Sequence, residues 1–339
     1  MNTVIGQDKA LASLDAASAE NRRHHALVFS GPRGVGKFTS AVNYAISLLK
    51  IPNEEYLGFP DLHIIQKEDA TWSQNPQLQK RKQTNIPLDL LRERMIGGKA
   101  SDDKVYGAPV FKTPTVGGEK VFIIDEAELI DETGQNALLS TLEEPPLGTT
   151  IILVTCREDL LLQTVKSRCQ FVCFAPLDNE DMSIWAEDAL SGVDQKDVLW
   201  AIGFSCGSPG LALDAINTGL PQLGRSLFSF LSCEGGVDYT GALLKINSFV
   251  ESTVLNKLTE NNQASKAAVG RWAVELILLM FGNAARLMIQ SEQVGRGVVL
   301  SDVISDIERQ LSTNVSTKVL LESLAARWQH VSVGDSVFL

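Results

Sequence analysis

Three continuous apolar runs, "ALVFS" at residues 26–30, "VFIID" at 121–125 and "IILVT" at 151–155, constrain this chain more than any other feature of it. A strand with one wet face alternates apolar and polar residues, whereas an uninterrupted apolar strand needs cover on both faces. Helical patterns, "FTSAVNYAISLL" and "TGQNALLSTLEE", separate the runs. Strands alternating with helices build a parallel sheet covered by helices, an α/β fold. "CQFVCFAPL" predicts one more strand, and Pro176 marks a boundary, so the sheet domain is expected over residues 1–176. Within it, residues 52–118 are polar and weakly periodic, with one helix expected in "PLDLLRERMI", and they read as an insertion on the sheet. Residues 177–220 predict a small helical domain. Residues 221–339 are helical in pattern throughout, most clearly in "RWAVELILLMFGNAARLMI" and "TKVLLESLAARWQHV".

At 339 residues the chain exceeds a single ordinary core. A net charge of -11 opposes tight duplex binding by this chain alone, because such affinity rests on Lys and Arg neutralising phosphates. The N-terminal stretch lacks a secretory signal pattern and no uncharged run approaches the ~18 residues of a membrane helix, so a cytoplasmic protein is expected. The five Cys include no C-x-x-C pair, which indicates neither a disulfide framework nor a zinc site, and they read as buried small apolar residues.

"GPRGVGKFTS" follows the first apolar run. A phosphate-binding P-loop, G-x-x-x-x-G-K-[ST], uses glycines to wrap backbone N–H groups around phosphates, Lys to neutralise them and a hydroxyl to hold magnesium. Gly31, Gly34, Gly36 and Lys37 fit this pattern, but position 38 is Phe. Thr39 is no simple substitute, since the next helical residue is rotated by about 100°. The alternative is a Gly-rich strand-to-helix turn with no ligand. Asp125 and Glu126 fit a Walker B strand end, where Asp holds magnesium through water and Glu polarises the attacking water. Thr155 is either a γ-phosphate sensor or a cap for the following turn. Ser167, Arg168 and Cys169 precede the last strand. An Arg there either reaches a neighbouring subunit's nucleotide as an arginine finger or makes a surface ion pair.

"VIGQ", "HHALVFSGPRGVGK", "VFIIDEAELIDETGQNALLSTLEEPP", "IILVTCREDLLLQTVKSRCQ" and "GSPGLAL" together resemble, in order and spacing, the clamp-loader branch of the AAA+ proteins, and within it the delta-prime type of bacterial DNA polymerase III. The resemblance covers residues 1 to about 218. It implies a RecA-like AAA+ core, a small helical lid and a C-terminal helical collar that assembles a five-subunit ring with gamma/tau and delta subunits. Such a ring opens the sliding clamp and places it on primed DNA. It also implies that Ser167, Arg168 and Cys169 form an SRC motif whose arginine serves a neighbour's ATP. In this alignment Gly210 stands where hydrolysing relatives carry a phosphate-sensing Arg, and Phe38 removes the loop hydroxyl. The resemblance therefore implies a subunit that does not turn over ATP, with passive ATP binding in a degenerate site left open. Residues 52–118 contain no Cys, so the zinc module of many relatives is not expected here.

Overall fold

The structure, a computed structural model, describes residues 4–19, 23–52, 56–80, 84–233, 238–260, 265–291, 293–311, 313 and 315–333. Backbone contacts divide the chain into two compact units, one of residues 1–191 with 205–210 and one of 192–204 with 211–339.

The first unit is built on strands β1 (Ala26–Ser30), β2 (Leu62–Ile65), β3 (Lys120–Ile124), β4 (Thr149–Thr155) and β5 (Gln170–Cys173). They run parallel in the spatial order β2-β3-β4-β1-β5. Consecutive strand residues point to opposite faces, and the continuous apolar runs accordingly feed two separate cores. Ala26, Val28, Phe122, Ile124, Ile151 and Leu153 pack on one face, against Leu138 and Leu142 of helix α3 (Glu132–Glu143). Leu27, Phe29, Val121, Ile123, Ile152 and Val154 pack on the other, against helices α1 (Asp8–Ala19) and α2 (Lys37–Leu49). The RecA-like parallel-sheet core expected from the sequence is the fold of this unit.

Residues 52–118 differ from the expectation of an insertion. They supply β2, an edge strand of the main sheet paired with β3 in the register Ile65↔Ile124. Ala70, Leu78, Ile86, Leu90, Leu91, Met95 and Val110 join the α3-side core. The expected helix in "PLDLLRERMI" is a single α-turn, Leu88–Leu91, continuing as a π-turn over Arg92–Ile96. Buried Asp61 ties the segment down by accepting from the amides of Thr115 and Val116 at 2.6 to 2.9 Å. The cysteines are free, but Cys156, Cys173 and Cys206 lie exposed rather than buried. The first two stand at the carboxyl ends of β4 and β5, where the sheet opens to solvent, and Cys206 has a left-handed backbone (φ 50°) just past a helix.

In the second unit, helices α4 (Tyr239–Glu260), α5 (Lys266–Gln290), α6 (Val294–Leu311) and α7 (Thr317–Val333) pack together. α5 is long and apolar enough to cross a membrane, but half of that stretch is buried among its neighbours, as in the core helix of a bundle. Trp328 is fully buried, meets Phe281 edge-on at 4.6 Å and donates its indole N–H to Phe230 O at 3.1 Å. Truncating a buried aromatic costs about 3–5 kcal/mol. Trp328→Ala is therefore expected to lower the urea midpoint of the helical unit while the sheet unit's transition stays in place. An unchanged midpoint would show that this ring is not the keystone of the bundle.

Candidate functional site

The carboxyl ends of the parallel strands gather the candidate residues, as expected for ligand sites on such sheets. The loop Gly31–Gly36 leaves β1 and enters α2. Gly31 has φ 146°, and a Cβ there would lie 2.2 Å from Phe174 O, so only glycine fits. Every carbonyl from Gly31 to Val35 accepts a hydrogen bond. Lys37 Nζ donates to Gly31 O (2.7 Å) and Pro32 O (2.5 Å), Ser208 Oγ to Arg33 O (2.7 Å), Gly210 N to Gly34 O (2.8 Å) and Gln7 Nε2 to Val35 O (3.3 Å). Gln7 also donates to Ala175 O and accepts from Ala175 N, tying the start of α1 to the residues after β5. With its carbonyls held, the loop presents the N-terminus of α2, whose first amides have no partner within the helix.

Phe38 is half-buried against the α1/α2-side core. Ser40 is fully buried, with its hydroxyl lacking a hydrogen-bond partner among the described residues, and Thr39 is half-buried one helical step beyond Phe38. The loop has the glycine backbone and lysine of a phosphate cradle and no hydroxyl at the magnesium position. Gly210, docked on the loop, leaves no room for a longer side chain: a Cβ there would lie 2.7 Å from Gly34 Cα.

Opposite the loop, Asp125 follows β3 and accepts from Gln66 Nε2 (3.1 Å) and Glu126 N (3.0 Å). Burial pushes its carboxyl above the ordinary aspartate value. Glu126 takes a left-handed backbone (φ 50°) and pairs with Lys67 Nζ at 2.5 Å. Burial holds the Lys37 ammonium below the usual lysine value, against the opposing pull of Cys156, Glu128 and Asp125.

Thr155 is buried, and its Oγ1 accepts from Arg157 N at 3.1 Å, so it caps the turn after β4. The strand-end residue whose charge environment includes Lys37 is the next one, Cys156. Although the residue as a whole is exposed, its sulfur donates to Glu128 Oε1 at 2.7 Å, and desolvation of that thiol together with the carboxylate pushes it up to about 12. Gln7, Gln66, Lys67, Glu128 and Cys156 are thus site residues that the motifs did not single out. Only the "VIGQ" signature carried a hint, for Gln7.

The Ser167–Cys169 tripeptide lies apart from this cluster, before β5. Ser167 Oγ donates back to Thr164 O (3.1 Å), and half-buried Cys169 packs against the α3-side core, its thiol pushed up to about 12 by burial. Arg168 projects with its side chain 32% exposed and pairs with Glu143 at the end of α3.

Because the Asp125 carboxyl sits above its unfolded value, its charged form is disfavoured in the folded state, and stability falls as pH rises through that raised value. Asp125→Asn removes the cost. The variant is expected to melt higher than wild type at pH 7.5, with the gap closing as the pH falls through the carboxyl's raised pKa. A gap independent of pH would mean that burial of this charge is not the cause.

The DNA polymerase III, delta subunit family matches residues 6–178, just over half of the chain. The DNA polymerase III subunit delta' of Escherichia coli K12 is 39% identical over 98 residues, covering 29% of this chain and 29% of that protein. The tau/gamma subunit of Haemophilus influenzae is 32% identical over 181 residues, covering 53% of this chain and 24% of its own length. The aligned region thus spans less than a third of either relative. Among solved structures, a DNA polymerase III gamma subunit-related protein of Thermotoga maritima aligns over 94% of this chain and 98% of its own, at 17% identity and TM-score 0.48. With a family match over residues that carry the glycine loop, the Asp125–Glu126 pair and the SRC tripeptide, this chain belongs to the clamp-loader family of DNA polymerase III subunits.

Proposed function

We propose that the chain is a delta-prime-type subunit that helps open the sliding clamp and load it on primed DNA, and that it lends Arg168 to a neighbouring subunit's ATP rather than hydrolysing its own. One contrast supports this reading above the rest: Phe38, half-buried against the core, stands at the sequence position of the magnesium hydroxyl, while the Arg168 guanidinium stays half-exposed at the end of the domain. Gly210, pressed on the loop, fits the same picture. The residues present suit a phosphate cradle and do not suit a magnesium ion held by the loop. Phosphates bound there would engage the α2 amides and Lys37. The partners on this reading are gamma/tau and delta subunits, the clamp and, through the complex, DNA. Residues 177–220 would serve as the lid and 221–339 as the collar, with no zinc module.

A second reading, an ATP-hydrolysing gamma/tau-type subunit, is favoured by the tau/gamma similarity and by the presence of Lys37, Asp125 and Glu126. The isolated chain separates the two. Delta-prime behaviour means no magnesium-dependent ATP turnover by the chain alone, and turnover near the typical enzymatic ~10 per second decides for the gamma/tau type. In the reconstituted complex, Arg168→Ala is expected to leave assembly intact and depress clamp- and DNA-stimulated ATPase. A single finger is worth ~10³–10⁵ at its own site, diluted here by sites that use other arginines. Equal rates at matched assembly would reduce Arg168 to a structural ion pair.

A further inference from the structure

The end of α3 carries a carboxylate where the helix dipole disfavours one, since the unsatisfied carbonyls there already present negative charge. Glu143 is that residue, the last of the helix. Its Oε1 accepts from Arg168 Nε at 2.5 Å and forms an ion pair with Arg168 NH2. On the other side of the guanidinium, NH1 donates to Thr164 O at 2.8 Å, with a long contact to Ser167 Oγ at 3.4 Å. A guanidinium carries five N–H donors in one rigid plane. The carboxylate takes the edge formed by Nε and NH2, and the Thr164 carbonyl takes an N–H of NH1. Those contacts leave one N–H on NH2 without a partner among the described residues and one on NH1 with only the long Ser167 Oγ contact, and these two are what an outside acceptor can take. That pair matches two oxygens of one phosphate.

Both holders stand on backbone anchored in the core. Glu143 follows Leu142, which is buried in the α3-side core, and Thr164 belongs to the short helix Gln163–Lys166, pinned by buried Val165 in the same core. A long, half-exposed Arg side chain otherwise samples many rotamers, and a catalytic group must be held close to its productive geometry.

We infer that Glu143 is a positioning residue for Arg168: it clamps the side edge of the guanidinium so that the two remaining N–H groups stay available to a phosphate on a neighbouring subunit. This rests on the reading of Arg168 as a finger acting in trans. Glu143 touches no nucleotide and acts only through the arginine. Its carboxylate also takes up part of the positive charge, which keeps the exposed arginine from pairing with the other acidic side chains of this -11 chain.

The test is the clamp- and DNA-stimulated ATPase of the complex reconstituted with gamma/tau, delta and clamp, at matched assembly. The forms of this chain compared are wild type, Glu143→Ala, Glu143→Gln, Arg168→Ala and the double Glu143→Ala/Arg168→Ala. Glu143→Ala is expected to lower the kcat of the complex by no more than Arg168→Ala does, because the ~10²-fold that misplacement of a catalytic group costs falls on one site and is diluted by the sites that use other arginines, with KM for ATP unchanged. Glu143→Gln, which keeps an acceptor for Nε, should retain most of the wild-type rate. The double variant should match Arg168→Ala, because a positioning residue has nothing to act on once the arginine is gone. Three results overturn the inference: a wild-type or raised rate for Glu143→Ala while Arg168→Ala is impaired, a Gln variant as poor as Ala, or equal losses from Glu143→Ala with and without Arg168. An unimpaired Arg168→Ala would remove the finger reading itself, and the role of Glu143 with it.

Discussion

The site depends on how the carbonyl oxygens of Gly31–Val35 find donors. A loop that turns its amides toward a ligand turns its carbonyls toward the protein, and buried backbone oxygens left unpaired are costly. Here the donors come from three places, two of them distant in sequence: Gln7 before α1, Lys37 at the start of α2, and Ser208 with Gly210. The closeness of that last segment to Gly34 admits only glycine at 210, so the choice of residue there is steric before it is catalytic. A chain that braces its loop with Gly210 has given up the space a longer sensing side chain would need.

The acidic residues around the loop are balanced in the same local way. Asp125 is half-buried and satisfied by Gln66 and a backbone amide, Glu126 is held by Lys67, and Glu128 accepts from the thiol and the amide of Cys156. Two of these partners, Gln66 and Lys67, follow β2, the strand least visible in the sequence. The edge strand thus does more than extend the sheet: it delivers the groups that hold the Asp125 and Glu126 carboxylates in place.

What the sequence made legible was set by length and burial. β1, β3 and β4 are continuous apolar runs because both faces are covered, and that signal survives without any knowledge of partners. β2 has only four residues, one of them His63, and its edge position leaves it half-exposed, so it blends with the polar stretch around it. The apolar residues of 67–111 reach the core one or two at a time from short turns, which gives no period to read. At the end of β4 the motifs single out Thr155, while the residue whose charge environment includes Lys37 is Cys156. The side of the sheet that a terminal residue serves depends on where the strand stops, and an uninterrupted apolar strand offers no alternation from which to count. The Arg168–Glu143 pair lay beyond reach for a different reason: 25 residues separate the partners, and no local pattern links them.

The division of the sheet unit into two cores reaches into the history of such a chain. The glycine loop leans on the face that holds Phe29, Val35 and Ala41, whereas Arg168 and Glu143 are supported from the face that holds Leu138, Leu142 and Val165. Substitutions accumulating on one side of the sheet change packing there without having to repack the other. Under the delta-prime reading proposed above, a lineage can let the loop layer change, as at Phe38, while the opposite layer that supports Arg168 is kept. The pleat of the strands makes the two layers separately heritable.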